Sequence, residues 1–269
     1  MRALRSTPLL LGLGLLGCAS ATAGVDASAE GPAGRFALLR VDLDEARAMT
    51  VRGAFARHVG LGERDVLDLL GLHAVPIGQC EVDAEARPLD AEGEVELLDA
   101  GPLELFVGDR SLVLHSRAFP DIADVVGGAF YAGSWAMPHL DRGERVRIRG
   151  EAEIGAFDAS LVAPLAPAPA VRHVPARRAG ARDLAIGWEP VDPAARIELA
   201  IVHAGRTWLA CTARDEGLLV IAAADVAVLP AGEARFVLRR VVEIPLTVEG
   251  FGRASFVVSS SQSVSAPLP

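Results

Sequence analysis

The chain has 269 residues, 51% of them hydrophobic and 23% charged, the composition of a globular protein and not of a disordered or collagen-like one. It contains no Lys and no Asn, so all 26 basic residues are Arg, which excludes a phosphate-loop lysine, a Schiff-base lysine and an Asn-linked glycan. A formal charge of -9 argues against nucleic acid as a partner, because that affinity comes from neutralised phosphates.

Arg2 and Arg5 precede the apolar run Leu9 to Gly17, the pattern of a secretion signal and too short for a spanning helix. The run ends in Leu15-Leu16-Gly17-Cys18, which resembles the lipobox of bacterial lipoproteins. The resemblance implies cleavage after residue 17 and acylation of Cys18, which tethers the protein to a membrane without embedding it. Ala19 and Ser20 carry no inner-membrane retention Asp, so the resemblance points to the outer membrane. Loss of Arg2 and Arg5 leaves 24 bases against 35 acids. Gly12-x-Gly14-x-x-Gly17 matches a dinucleotide fingerprint only formally, since no strand precedes it.

Residues 18–34 are small and polar and read as a flexible tether. The expected fold class is mainly β: two β-sandwich-like domains with a short helical insertion in the first, after a cleaved lipoprotein signal peptide. The first domain covers 35–162. Arg35 to Leu43 alternates as a strand, whereas Phe55, Val59, Val66, Leu69 and Leu70 at spacings of three and four predict a helical segment over 45–72, broken by glycines. Strands follow at Gly93 to Leu98, Leu103 to Val107, Ser111 to His115 and Arg145 to Ile154, with a hairpin loop at Gly108-Asp109-Arg110.

Pro164, Pro167, Pro169 and Pro175 mark 163–181 as a Pro/Ala-rich linker. Beyond it, strands are predicted at Asp183 to Trp188, Arg196 to His203, Arg206 to Thr212, Leu218 to Ala222, Arg235 to Glu243, Leu246 to Glu249 and Ala254 to Ser259. They fill a second domain over 182–261, followed by a disordered tail at 262–269. Leu184 to Trp188 followed by Glu189-Pro190, and Leu229-Pro230-Ala231-Gly232 followed by Phe236, resemble the second strand and the penultimate corner of the fibronectin type III module, an immunoglobulin-like sandwich. Phe236 stands where that family carries a Tyr. The whole layout also resembles two-domain lipoproteins of GC-rich Gram-negative bacteria.

Cys80 and Cys211 are candidates for a disulfide in an oxidising compartment; the alternative is that Cys211, in the apolar run Trp208-Leu209-Ala210, is a buried free thiol packed as a small hydrophobe. The six histidines, at 58, 73, 115, 139, 173 and 203, have no metal spacing, and the acids from Glu81 to Glu94 lack the calcium-loop pattern, so neither a metal nor another cofactor is expected. No nucleophile elbow occurs; Ser134 follows Gly133 without one, and Asp121 with Asp124 are only a generic carboxylate pair. Phe130, Tyr131 and Trp135 are a candidate ligand-contact loop, weighed against plain packing. The expectation is a membrane-anchored binding or structural module of the cell envelope, not an enzyme, whose partner is the membrane through its lipid and an envelope protein or glycan. The alternative is an envelope hydrolase using carboxylates of the first domain.

Overall fold

The computed structural model describes residues 33–46, 48–72, 74–82, 93–118, 126–136, 143–152, 155–175 and 182–268. Cys18, the signal, the expected tether up to residue 32, Asp121 and Asp124 lie outside them, whereas Ala33 and Gly34, expected in the tether, begin the first strand. In chain order the elements are β1 (Ala33–Leu43), β2 (Ala48–Val59), α1 (Glu63–Leu69), β3 (Gln79–Val82), β4 (Glu94–Leu97), β5 (Leu103–Val107), β6 (Arg110–Leu114), β7 (Ser116–Ala118) and β8 (Val126–Ala136). There follow β9 (Arg145–Ala152), β10 (Gly155–Val162), β11 (Ala170–Pro175), β12 (Arg182–Gly187), β13 (Arg196–His203), β14 (Arg206–Arg214), β15 (Leu218–Ile221), α2 (Ala223–Val226), β16 (Gly232–Pro245) and β17 (Arg253–Leu268). The protein is mainly β, and its strands form a ten-stranded sheet in the order β3-β14-β13-β16-β17-β1-β2-β4-β8-β7, a four-stranded sheet β10-β9-β5-β6 and a three-stranded sheet β11-β12-β15.

Period-2 alternation decides which side chains face which layer. Ala37, Leu39, Val41 and Leu43 of β1 join a core with Leu103, Leu105, Val146, Ile148 and Phe157 of the four-stranded sheet. At the other end of the large sheet, Ile197, Leu199, Phe236 and Leu238 pack with Leu184, Ile186 and Ile221 of the three-stranded sheet. The two small sheets thus cover one face of the large one. The opposite face, here the outer face, carries Phe36 and Leu38 packed with Val66 of α1 and with Leu72.

Several expectations are corrected. The helical segment over 45–72 is mostly strand: β2 pairs with β1 from Ala33↔Val59 to Leu43↔Met49, and only Glu63–Leu69 is helical. A spacing of four is a multiple of two as well as one helical turn, so Phe55 and Val59 fit both periods, and consecutive burial from Gly53 to Ala56 hides the alternation. The expected linker contains β11, which pairs with β12. The expected disordered tail is part of β17, which runs to Leu268 against β16 and pairs in parallel with β1 from Phe36↔Arg253 to Leu43↔Ser260. The Ser-rich composition misleads because these hydroxyls have acceptors: Ser259 donates to Asp42 at 2.6 Å and Ser263 to Glu45 at 2.5 Å. One strand therefore belongs to both halves of the molecule.

The β5–β6 hairpin turns at Gly108-Asp109 with Gly108 at φ +55°, as a two-residue turn requires. The β13–β14 hairpin turns at Ala204-Gly205, both left-handed at φ +51° and +82°. Ala204 is strained there, because a Cβ disfavours this region by about 1 kcal/mol. Ala204→Asn is expected to raise the unfolding free energy by about 0.5 to 1 kcal/mol, or about 2 °C in Tm, which calorimetry reads directly.

Candidate functional site

The described residues 70–72 and 74–78 form a strap. It leaves α1 at one side of the outer face and enters β3, which pairs with β14 at the far edge of the large sheet. Its far end is fixed by a disulfide between Cys80 and Cys211, which stand directly opposite each other in the β3–β14 pair, and by Gly78 N–H donating to Thr212 O at 2.7 Å. Ala74 and Val75 wall two cavities, of about 490 and 510 Å³, one on each side of the strap. Together these make a trough across the outer face.

The floor of the trough is a chain of alternating charges. Arg52 contacts Asp42 at 3.2 Å, and Arg40 Nε donates to Asp42 at 2.7 Å while its Nη1 and Nη2 donate to Glu198 at 3.3 and 2.7 Å. Arg196 bridges Glu198 at 3.2 Å and Glu243 at 2.6 Å, and Arg253 reaches Glu243 at 3.5 Å and Glu63 at 3.0 Å. These side chains come from β2, β1, β13, β16, β17 and α1, and the sheet order, with α1 packed on the same face, brings them together. Apart from Glu63 of α1, each sits at an outer-face position of a strand whose inner-face neighbours are apolar.

Burial tends to raise the Asp42 carboxyl, but Arg40 and the Ser259 hydroxyl outweigh it and hold it at about 2. Burial likewise opposes ionisation of Glu198 and Glu243, and Arg40 and Arg196 hold them below the usual carboxylate range. A depressed carboxylate contributes stability that is complete above its unfolded pKa of about 4 and disappears as pH falls through its folded value. For Asp42 this amounts to about 2 kcal/mol. Urea unfolding at stepped pH is expected to show a stability loss concentrated between about pH 4 and pH 2; a loss centred above pH 5 would contradict this assignment.

A second buried ion pair lies on the inner face. Asp215 and Arg240 have side chains 0% and 2% exposed, with Arg240 Nε donating to Asp215 Oδ2 at 2.8 Å. Trp188 Nε1 donates to Asp215 Oδ1 at 2.7 Å, and Val191 and Asp192 N–H donate to Oδ2 at 3.1 and 3.0 Å. Arg240 also donates to the carbonyls of Leu165 and Glu189, both at 2.6 Å. Its donors are spent on structure.

The predicted contact loop is not a loop. Phe130, Tyr131 and Trp135 lie on β8, and alternation sends Phe130 to the outer-face cluster and Tyr131 and Trp135 to the first core. Tyr131 is fully buried, edge-on to Phe55; its hydroxyl accepts from Ala100 N–H at 2.8 Å and donates to Gly101 O at 2.8 Å. Sequence reasoning missed the trough. Its signal is a charge enclosed by apolar residues in a strand, as in Leu39-Arg40-Val41-Asp42-Leu43 and Ile197-Glu198-Leu199.

Among the described residues no three His, Cys, Asp or Glu side chains converge as metal ligands, and no helix is long and apolar enough to cross a membrane. No protein-family model matches the chain, and no curated protein matches it.

Proposed function

We propose that this chain is an outer-membrane lipoprotein, fastened through acylated Cys18, whose β body binds a polar component of the cell envelope, a protein or a glycan, along the strapped trough. The observation that carries the reading is the trough itself. It is a walled groove whose floor offers fixed, alternating charges, and fixed charges select polar partners by electrostatic complementarity. Carboxylates held ionised by Arg make poor proton donors at neutral pH, so this floor suits recognition better than acid catalysis.

The Cys80–Cys211 bond is consistent with an oxidising compartment and hence with export by the lipobox signal. The strand orders β11-β12-β15 and β14-β13-β16-β17 around one core are those expected of a fibronectin type III-like sandwich, with Trp188 on the strand side where the family's buried Trp stands. The first half, with its own core between two sheets, reads as a second sandwich fused to it through β17.

Two measurements test the proposal. Mass spectrometry of the chain purified from membranes is expected to find a mature N-terminus at Cys18 bearing acyl groups; a retained leader or an unmodified cysteine would remove the anchor. Affinity capture from envelope extracts with the full detergent-solubilised chain is expected to retain a saturable partner. Turnover of a glycan or peptide, with no stable complex, would replace the binding reading with the hydrolase one.

A further inference from the structure

Two guanidiniums that line the 510 Å³ cavity stand outside the chain of ion pairs, the exposed Arg235 and the partly buried Arg239. Arg239 lies on the outer face of β16 opposite Ser261 of β17, partly buried, and among the described residues its side chain makes no hydrogen bond or ion pair. Its strand neighbour Arg240 points the opposite way into the Asp215 junction, as a period of two demands. Burial and the nearby charges of Arg40 and Arg52 outweigh the attraction of Asp42 and Glu198 and hold the Arg239 pKa below its ordinary value. Arg239 stands opposite Glu198 in the β13–β16 pair, but that carboxylate is taken by Arg40 and Arg196, and among the described residues no carboxylate lies within ion-pair distance of the Arg239 guanidinium. It lines the 510 Å³ cavity, whose walls include Val75 of the strap and the β17 residues Ser261, Gln262 and Ser263.

We propose that this cavity binds a small polar ligand through a single carboxylate held by the Arg239 fork. The inference rests on the binding reading above and names the ligand class. A planar carboxylate matches a guanidinium with two parallel hydrogen bonds. A phosphate dianion suits the cavity less, because Asp44, Glu45 and Glu198 line it too and would repel the second charge. The Ser hydroxyls already donate, Ser263 to Glu45 and Ser261 to Leu43 O, so their lone pairs remain to accept from hydroxyl or amide groups of the ligand body. That describes a uronic acid or a peptide C-terminus.

Isothermal titration of the full-length chain in detergent with glucuronate and with tri-alanine separates these sources; glucose, tri-alanine amide and inorganic phosphate serve as controls. One acid is expected to bind saturably, its neutral counterpart and phosphate at least tenfold more weakly. Arg239→Gln is expected to weaken the acid at least tenfold with unchanged or raised Tm, and Arg239→Lys, which keeps the charge without the fork, to fall between. Should Arg239→Gln fail to fold, Arg239→Lys alone carries the comparison. Absence of binding by both acids, equal binding by the variants, or tighter binding of phosphate overturns the site. An envelope partner captured equally by the Arg239 variants would keep the module and remove this pocket, whereas acid binding without any captured partner would keep the pocket and remove the module.

Discussion

Asp215→Ala is expected to lower the unfolding free energy by about 3 to 5 kcal/mol, because it strands the Arg240 guanidinium in a place where that side chain is 2% exposed. The same change takes the acceptor from the Trp188 indole N–H and from the Val191 and Asp192 amides, and each buried donor left without a partner costs about 1 to 3 kcal/mol. Against a usual total of about 5 to 15 kcal/mol, the variant stands near the edge of folding at 25 °C. Arg240→Ala is expected to cost less. The carboxylate would keep its three N–H donors, and the carbonyls of Leu165 and Glu189 would lose one donor each. The double variant is expected to recover part of the loss, so a double-mutant cycle in urea should return a coupling of about 2 kcal/mol or more. A cost for Asp215→Ala below about 1 kcal/mol would show that water reaches the junction. This pair matters to the fold because it sits where the inner face passes from the second core, at Leu238, to the first, at Val242.

Elements with one covered face and a clear turn were legible in the residues. Leu103–Val107 and Arg196–His203 appear in the structure with the bounds their alternation predicts, and Gly108 turns between its strands with the positive φ expected of it. β2 was obscured by burial on both faces, which erases alternation, and the end of β17 by a Ser run whose composition favours turns. In both cases a tertiary partner supplies what local propensity lacks. The trough was beyond reach for a different reason: Arg40 meets Glu198 across 158 positions of sequence, and Asp42 meets Ser259 across 217. A lone charge among apolar strand residues announces that a counter-charge must exist somewhere, since an unpaired buried ion is too costly. It cannot say where. The aromatic run of β8 misled in the converse way, because nearness in sequence concentrated three rings that the strand period then divided between two layers.

Reduction of Cys80–Cys211, or the Cys80→Ser/Cys211→Ser double variant, is expected to cost about 4 to 5 kcal/mol, the loop-closure entropy of a cross-link spanning 131 residues. The local consequence is more specific. β3 is four residues long and lies at an edge of the large sheet beside β14, so without the covalent bond it keeps a few backbone hydrogen bonds, the Arg64–Glu81 ion pair at 2.7 Å and little burial. The strap would then be held by the α1 side and by Val75, which is buried against the outer face. Amide exchange is expected to quicken first from residue 74 to residue 82, ahead of the β13–β16–β17 centre, when reductant is added under native conditions. Water reaching the floor would weaken the hold of Arg40 on Glu198 by raising the local dielectric, and the acid limb of stability would shift to higher pH in the reduced protein. Equal urea midpoints with and without reductant, together with unaltered exchange in the strap, would mean that β3 is held by its pairing and by the Arg64–Glu81 ion pair, and that the disulfide is not what keeps the trough roofed.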